Sequence, residues 1–128
     1  MFDHIGITVA DVKRSVDFYE LALKPLGIHI EMPPTPDLIE AGYEGYGFGA
    51  NGKPWFWVGS GRGSGPIHIA FAAASRSDVD AFHAAAIAAG GRDNGAPGVR
   101  AEYHPTYYGA FVFDLDGNNV EAVCHLEA

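Results

Sequence analysis

Hydrophobic and polar positions alternate in two widely separated stretches of the chain, and each stretch runs straight into a helical pattern. Over 2–9 (FDHIGITV), Ile5, Ile7 and Val9 fall on one face of a strand, and His4, Gly6 and Thr8 on the other. Over 11–26, Val12, Val16, Tyr19 and Leu23 recur at helical spacing, with Asp11 as N-cap and Pro25 and Gly27 as the stop. The pattern returns at 67–73 (IHIAFAA), with Ile67, Ile69 and Phe71 on one face and His68, Ala70 and Ala72 on the other. A second helix follows at 76–89, capped by Ser75 or Ser77 and ended by Gly90-Gly91. A shift of 64 positions carries His4 onto His68, Asp11 onto Ser75, Phe18 onto Phe82, Ala22 onto Ala86 and Gly27 onto Gly91.

Each predicted helix is followed by three more strands. In the first half these are 28–32, 43–50 and 54–59; in the second, 99–104, 108–114 and 119–125. Asn51-Gly52 and Asp116-Gly117 are turn signals before the last strand of each half. The chain therefore reads as one α+β domain over 1–128, built of two paired βαβββ modules, about 1–59 and 66–126, forming a concave mixed sheet. The glycine-rich connector 59–66 joins them. Functional side chains are expected on the sheet faces away from the helices.

Composition narrows the function. The chain has 128 residues, 48% of them hydrophobic, enough for a core. A net charge of −8 argues against a nucleic-acid partner and against an anionic membrane. One cysteine, Cys124, leaves no intrachain disulfide framework, and its strand parity makes it a buried small hydrophobe. The N-terminus lacks a signal-peptide pattern, so a cytoplasmic location is expected. GRGSG at 61–65 precedes a strand and carries no Lys-Ser/Thr pair, which argues against a phosphate loop. Asp114, Asp116 and Gly117 form a turn without the spacing of a calcium loop.

Chemistry concentrates on the second face of the strands. His4 and His68 occupy equivalent places beside small residues, and Glu121 projects from an otherwise apolar last strand. A buried carboxylate needs a partner, and two imidazoles with one carboxylate are a divalent-metal set. The repeat maps Glu121 onto Trp57, so a fourth carboxylate is missing there. Three protein ligands leave coordination places open, as catalysis needs; Trp57 would wall the substrate pocket. His104 is a candidate general acid–base if it faces the cavity and a solvated loop residue if it does not. Of Tyr107 and Tyr108, only one can face the cavity, where a phenol could serve the chemistry. His125 reads as a rim residue, His29 and His83 as surface residues.

These features resemble the vicinal oxygen chelate superfamily, which includes glyoxalase I, extradiol dioxygenases, fosfomycin-resistance transferases and bleomycin-resistance proteins. The segments that carry the resemblance are FDHIGITVADVKRSVDFYE at 2–20, GPIHIAFAA at 65–73 and YYGAFVFDLDGNNVEAV at 107–123. The resemblance implies a divalent ion (Fe, Mn, Zn or Ni) at His4, His68 and Glu121, vicinal oxygens of a small substrate as its ligands, and a homodimer. Trp57 departs from the four-ligand glyoxalase I pattern and leans toward a dioxygenase, with catalytic candidates His104 and Tyr108 and pocket candidates Trp57 and Tyr107. The last basic residue is Arg100, so the final two strands bring no cation for a phosphonate. A non-catalytic protein that sequesters an aromatic compound is the alternative.

Overall fold

A computed structural model describes residues 1–62 and 65–127. Gly63, Ser64 and Ala128 lie outside the described residues, and with them the centre of the expected connector. The element order is β1 (Ile5–Val9), α1 (Val12–Leu23), a 3-10 turn (Lys24–Leu26), β2 (His29–Met32), α2 (Pro36–Glu40), β3 (Gly45–Ala50), β4 (Lys53–Ser60), β5 (His68–Ala72), α3 (Arg76–Ala88), β6 (Arg92–Val99), β7 (Tyr108–Phe113) and β8 (Asn119–Cys124).

The strands form two four-stranded sheets of identical design, β1-β4-β3-β2 and β5-β8-β7-β6. In each, the first strand pairs in parallel with the last, and the remaining pairings are antiparallel. Gly6 stands opposite Trp57 in one sheet and Ala70 opposite Glu121 in the other. The internal repeat is thus preserved down to the register.

Local chemistry explains most of the boundaries. The Asp11 carboxylate accepts from the Arg14 N–H at 3.2 Å, and the Ser75 hydroxyl from the Asp78 N–H at 3.1 Å, so both expected caps form. Asn51 and Gly52 both adopt positive φ, 55° and 81°, the backbone of a tight hairpin turn between β3 and β4.

Two expectations are corrected. The strand expected at 99–104 lies earlier, at Arg92–Val99, and residues 101–103 turn. Arg92–Val99 has no alternation; pairing with β7 makes it a strand, with register shifts around Gly95. The short α2 was not expected either. It is started by Thr35, whose side chain accepts from the Leu38 N–H, and by Pro36 in the first turn.

Both sheets turn one face toward the helices, and those faces share a single core. Ile7, Val9, Phe56 and Val58 from one sheet join Ile69, Phe71, Val112 and Val120 from the other, with Phe18, Tyr19, Val79 and Phe82 from α1 and α3. Phe56 and Phe71 meet edge to face at 5.2 Å between centroids, across the module boundary. No helix among the described residues is long and apolar enough to cross a membrane.

A buried polar cluster fastens the modules. The Asp114 carboxylate is 6% exposed at residue level and accepts from the Asn118 N–H (2.8 Å), the Asn118 amide (2.9 Å) and the Asp116 N–H (3.0 Å). It also accepts from the Tyr19 hydroxyl of α1, in the other module, at 2.5 Å. Asp116 accepts from the Ala10 N–H at 2.9 Å and from the Ser15 hydroxyl at 3.3 Å, both again in the first module. The 114–118 turn is therefore a turn, as expected, and also the polar joint of the fold. Tyr19→Phe removes a buried bond to a charged group and should cost about 1.5–3 kcal/mol, read as a lower urea midpoint with an unchanged m-value.

Candidate functional site

The faces away from the helices carry the expected chemistry. On the second sheet, β5 contributes His68, Ala70 and Ala72, β8 contributes Asn119, Glu121 and Val123, and β7 contributes Gly109, Phe111 and Phe113. The Glu121 side chain is 1% exposed although it belongs to the open face. Its Oε1 is bound by His68 Nε2 at 2.9 Å, and its Oε2 accepts from the Tyr107 hydroxyl. A buried carboxylate has thus found the partners its burial requires.

Space for this cluster comes from a glycine. A Cβ on Gly109 would lie 3.1 Å from Glu121 Oε2 and 3.2 Å from a Tyr107 ring carbon. Burial first, and then the hydrogen bond to Glu121, raise the Tyr107 phenol above the usual tyrosine range. It keeps its proton at neutral pH and acts as a donor.

The choice between the two tyrosines is settled by strand parity. Tyr107 precedes β7 and reaches Glu121. Tyr108 pairs with Cys124 on the helix side, donates to Asp80 of α3 at 2.6 Å, and lies under the Arg76 guanidinium, 4.9 Å from its ring centre. Tyr108, expected as a catalytic group, is therefore placed on the opposite face from Glu121. His104 stands on an exposed turn, its Nδ1 paired with the Thr106 hydroxyl at 3.0 Å.

Trp57 lies on the open face of the first sheet. It stacks across Gly47, where a Cβ would sit 3.0 Å from its six-membered ring. His4 immediately precedes β1, is 59% exposed, and binds Asp3 through Nδ1 at 2.7 Å. His4 and His68 border one cavity of about 360 Å³, with Ile5, Trp55 and Phe71 among its walls. The structure thus joins His68 to Glu121 directly and sets His4 on the same cavity. Within one chain, no three His, Cys, Asp or Glu side chains among the described residues gather closely enough to hold an ion.

His125 is exposed and its ring meets Tyr107 at 5.2 Å, at the rim as expected. His29 is exposed, but His83 is only 16% exposed and ties α3 to Asp93 at 2.9 Å. Cys124 is buried. One residue that strand order had set aside returns to the site: the Arg100 guanidinium lies over the Phe111 ring at 5.4 Å. Phe111 pairs with Glu121 and meets the His68 ring at 6.3 Å.

The chain belongs to the Glyoxalase/Bleomycin resistance protein/Dioxygenase superfamily, whose family model matches residues 1–122. Among solved structures it is similar to a glyoxalase/bleomycin resistance protein from Albidiferax ferrireducens T118, with 30% identity, a TM-score of 0.74, and 97% of this chain and 98% of that one covered. It also shares its fold with a glyoxalase I mutant from Zea mays (23% identity, TM-score 0.68, 95% of this chain and 46% of that one). A mutant of the fosfomycin resistance protein FosX from Listeria monocytogenes, complexed with Mn(II) and a dihydroxypropylphosphonic acid, aligns at 17% identity and TM-score 0.68 over 96% and 88% of the two chains. No curated protein matches.

The phenol shifts have a sign in stability. Tyr19 is raised by burial and then by Asp114, Tyr107 by burial and then by Glu121, and Tyr108 by its bond to Asp80 and then by burial. Above pH 10 the unfolded chain loses these protons while the folded chain retains them, so stability falls as pH rises past that point. Absorbance titration should show three of the six tyrosines lagging, and Tyr107→Phe should leave two.

Proposed function

We propose that the chain is a metal-dependent enzyme in which His4, His68 and Glu121 hold one divalent ion (Fe, Mn, Zn or Ni). The observation that carries this reading is the pairing of buried Glu121 with His68 on a cavity that His4 also borders. The donor set fits: a carboxylate already desolvated and an imidazole already turned toward it suit a borderline cation. His4 sits in the segment leading into β1, so it joins the set by crossing the shared cavity or from the second copy in a homodimer.

When bound, such an ion supplies Lewis acidity toward two neighbouring oxygens of a small substrate. The residues of the chain do the rest. Tyr107 donates its one phenolic proton to Glu121 Oε2 and so holds and orients that carboxylate for the ion. His104 stands on an exposed turn with its Nδ1 paired to Thr106, the solvated alternative, and is assigned no proton transfer. Trp57, outside the lining of the His4–His68 cavity, presents a flat ring on the open face where its counterpart in the other module is acidic. With three protein ligands we rank ring-cleaving oxygenation slightly ahead of glyoxalase-type isomerisation. The half-buried rings of Trp57, Phe111 and Phe113 on the open faces favour one other reading, sequestration of an aromatic compound without catalysis.

Elemental analysis tests the proposal. Natively purified protein should carry stoichiometric metal, and His4→Ala, His68→Ala or Glu121→Ala should each lower it at least tenfold. Full-strength ligand binding by metal-free protein, with metal absent from the wild type, would favour sequestration. Co-expressed His4→Ala and Glu121→Ala chains should regain about a quarter of the wild-type metal if ligands are shared between copies, and none if each chain closes its own site. Trp57→Glu should raise metal affinity.

A further inference from the structure

The open face of the second sheet carries a cation that the metal reading does not use. Arg100 follows β6 directly, and its backbone N–H donates to the Tyr107 carbonyl at 2.7 Å, which ties it to the residue that binds Glu121. Its side chain folds back across β6. One terminal nitrogen donates to the Ala96 carbonyl at 2.7 Å, and the guanidinium covers the Phe111 ring at 5.4 Å.

Two glycines lie against this side chain. A Cβ on Gly95 would come within 3.2 Å of one terminal nitrogen of Arg100, and a Cβ on Gly98 within 3.1 Å of the other. The guanidinium is thus seated between a glycine-lined strand and an aromatic ring, which holds its plane without neutralising it. Among the described residues no carboxylate pairs with it. Among the described residues its one internal bond, to Ala96, leaves N–H groups free to donate outward. A half-buried, ring-backed guanidinium with open donors is suited to a planar anion, which it can bind through two parallel bonds. Lysines are confined to the first module, at 13, 24 and 53.

We propose that Arg100 binds a carboxylate of the substrate, so that the site takes small molecules bearing a carboxylate in addition to the vicinal oxygen pair. Phe111 links the two recognition elements: it lies beneath Arg100 and borders both Glu121 and His68. This inference rests on the assignment of that face as the substrate face, and the metal is not needed to test it.

Metal-free protein is titrated with 3,4-dihydroxybenzoate and with catechol, which differ by one carboxylate. Intrinsic fluorescence reads the affinity, and the Arg100 Nε–H signal, assigned through Arg100→Lys, reads the place. The benzoate should bind about tenfold or more tightly than catechol, in the range expected of a charge-assisted bidentate pair, and should shift the Arg100 signal. Arg100→Leu should bring the two affinities within about twofold, chiefly by weakening the benzoate, and Arg100→Lys should retain part of the preference. A preference that survives Arg100→Leu, a preference lost only on Arg92→Leu (the Arg92 guanidinium covers the Phe113 ring of the same face at 4.9 Å), or an Arg100 signal that neither compound moves would overturn the proposal. Metal content of the His4, His68 and Glu121 variants is a separate readout, so failure of the metal reading is distinguishable from failure of this one.

Discussion

The buried carboxylate of Asp114 is the interaction on which the arrangement of the two modules depends. The two βαβββ units share one apolar core, whose hydrophobic attraction is itself non-directional. Asp114 supplies direction. It organises its own turn through Asp116 and Asn118, and it takes the Tyr19 hydroxyl from α1 of the other module. Asn118 in turn accepts from the Ile67 N–H at the entry to β5. One turn therefore ties β8, β5 and α1 together. That joint is what puts His4 and His68, from separate modules, on the same cavity.

Much of this was legible in the sequence because the duplicated unit is a simple period-two and period-3.6 pattern. The alternation around His4 and His68 sorted each strand into a core face and a chemical face. The same shift that aligned the histidines aligned Trp57 with Glu121, and the register bears this out at Gly6–Trp57 and Ala70–Glu121. What failed to show did so for physical reasons. Arg92–Val99 carries glycine, proline and polar residues, and only its neighbour β7 makes it a strand. VRAEYH at 99–104 alternates well, yet only Val99 belongs to the strand and the chain turns at 101–103.

The same limit governed the site. Tyr107 and Tyr108 are adjacent, so they point to opposite faces, but which faces which depends on where β7 begins. Arg100 was discounted because it precedes the last two strands. Its side chain folds back against Gly95 and Gly98 of β6, a three-dimensional proximity that no linear spacing expresses. His83 looked like a surface residue on helix α3 and is held by Asp93 of a strand that was itself unexpected.

Comparison of the two modules shows how one scaffold acquires a single site rather than two. The cross-strand pair Gly47–Trp57 in the first sheet is equivalent to Phe111–Glu121 in the second. In the first, bulk sits on the last strand and its neighbour is a glycine that leaves room for the indole. In the second, bulk sits on the neighbouring strand, and the last strand carries the acid. A carboxylate in the first module would face a glycine and lack the Tyr107 donor, so only a bound cation would offset its desolvation. In the second module, Gly109 opens the space in which Glu121 meets Tyr107, and His68 closes the other oxygen. Exchanging large for small across one strand pair therefore decides which copy of the repeat holds charge, and leaves the other to supply an apolar wall and its single imidazole.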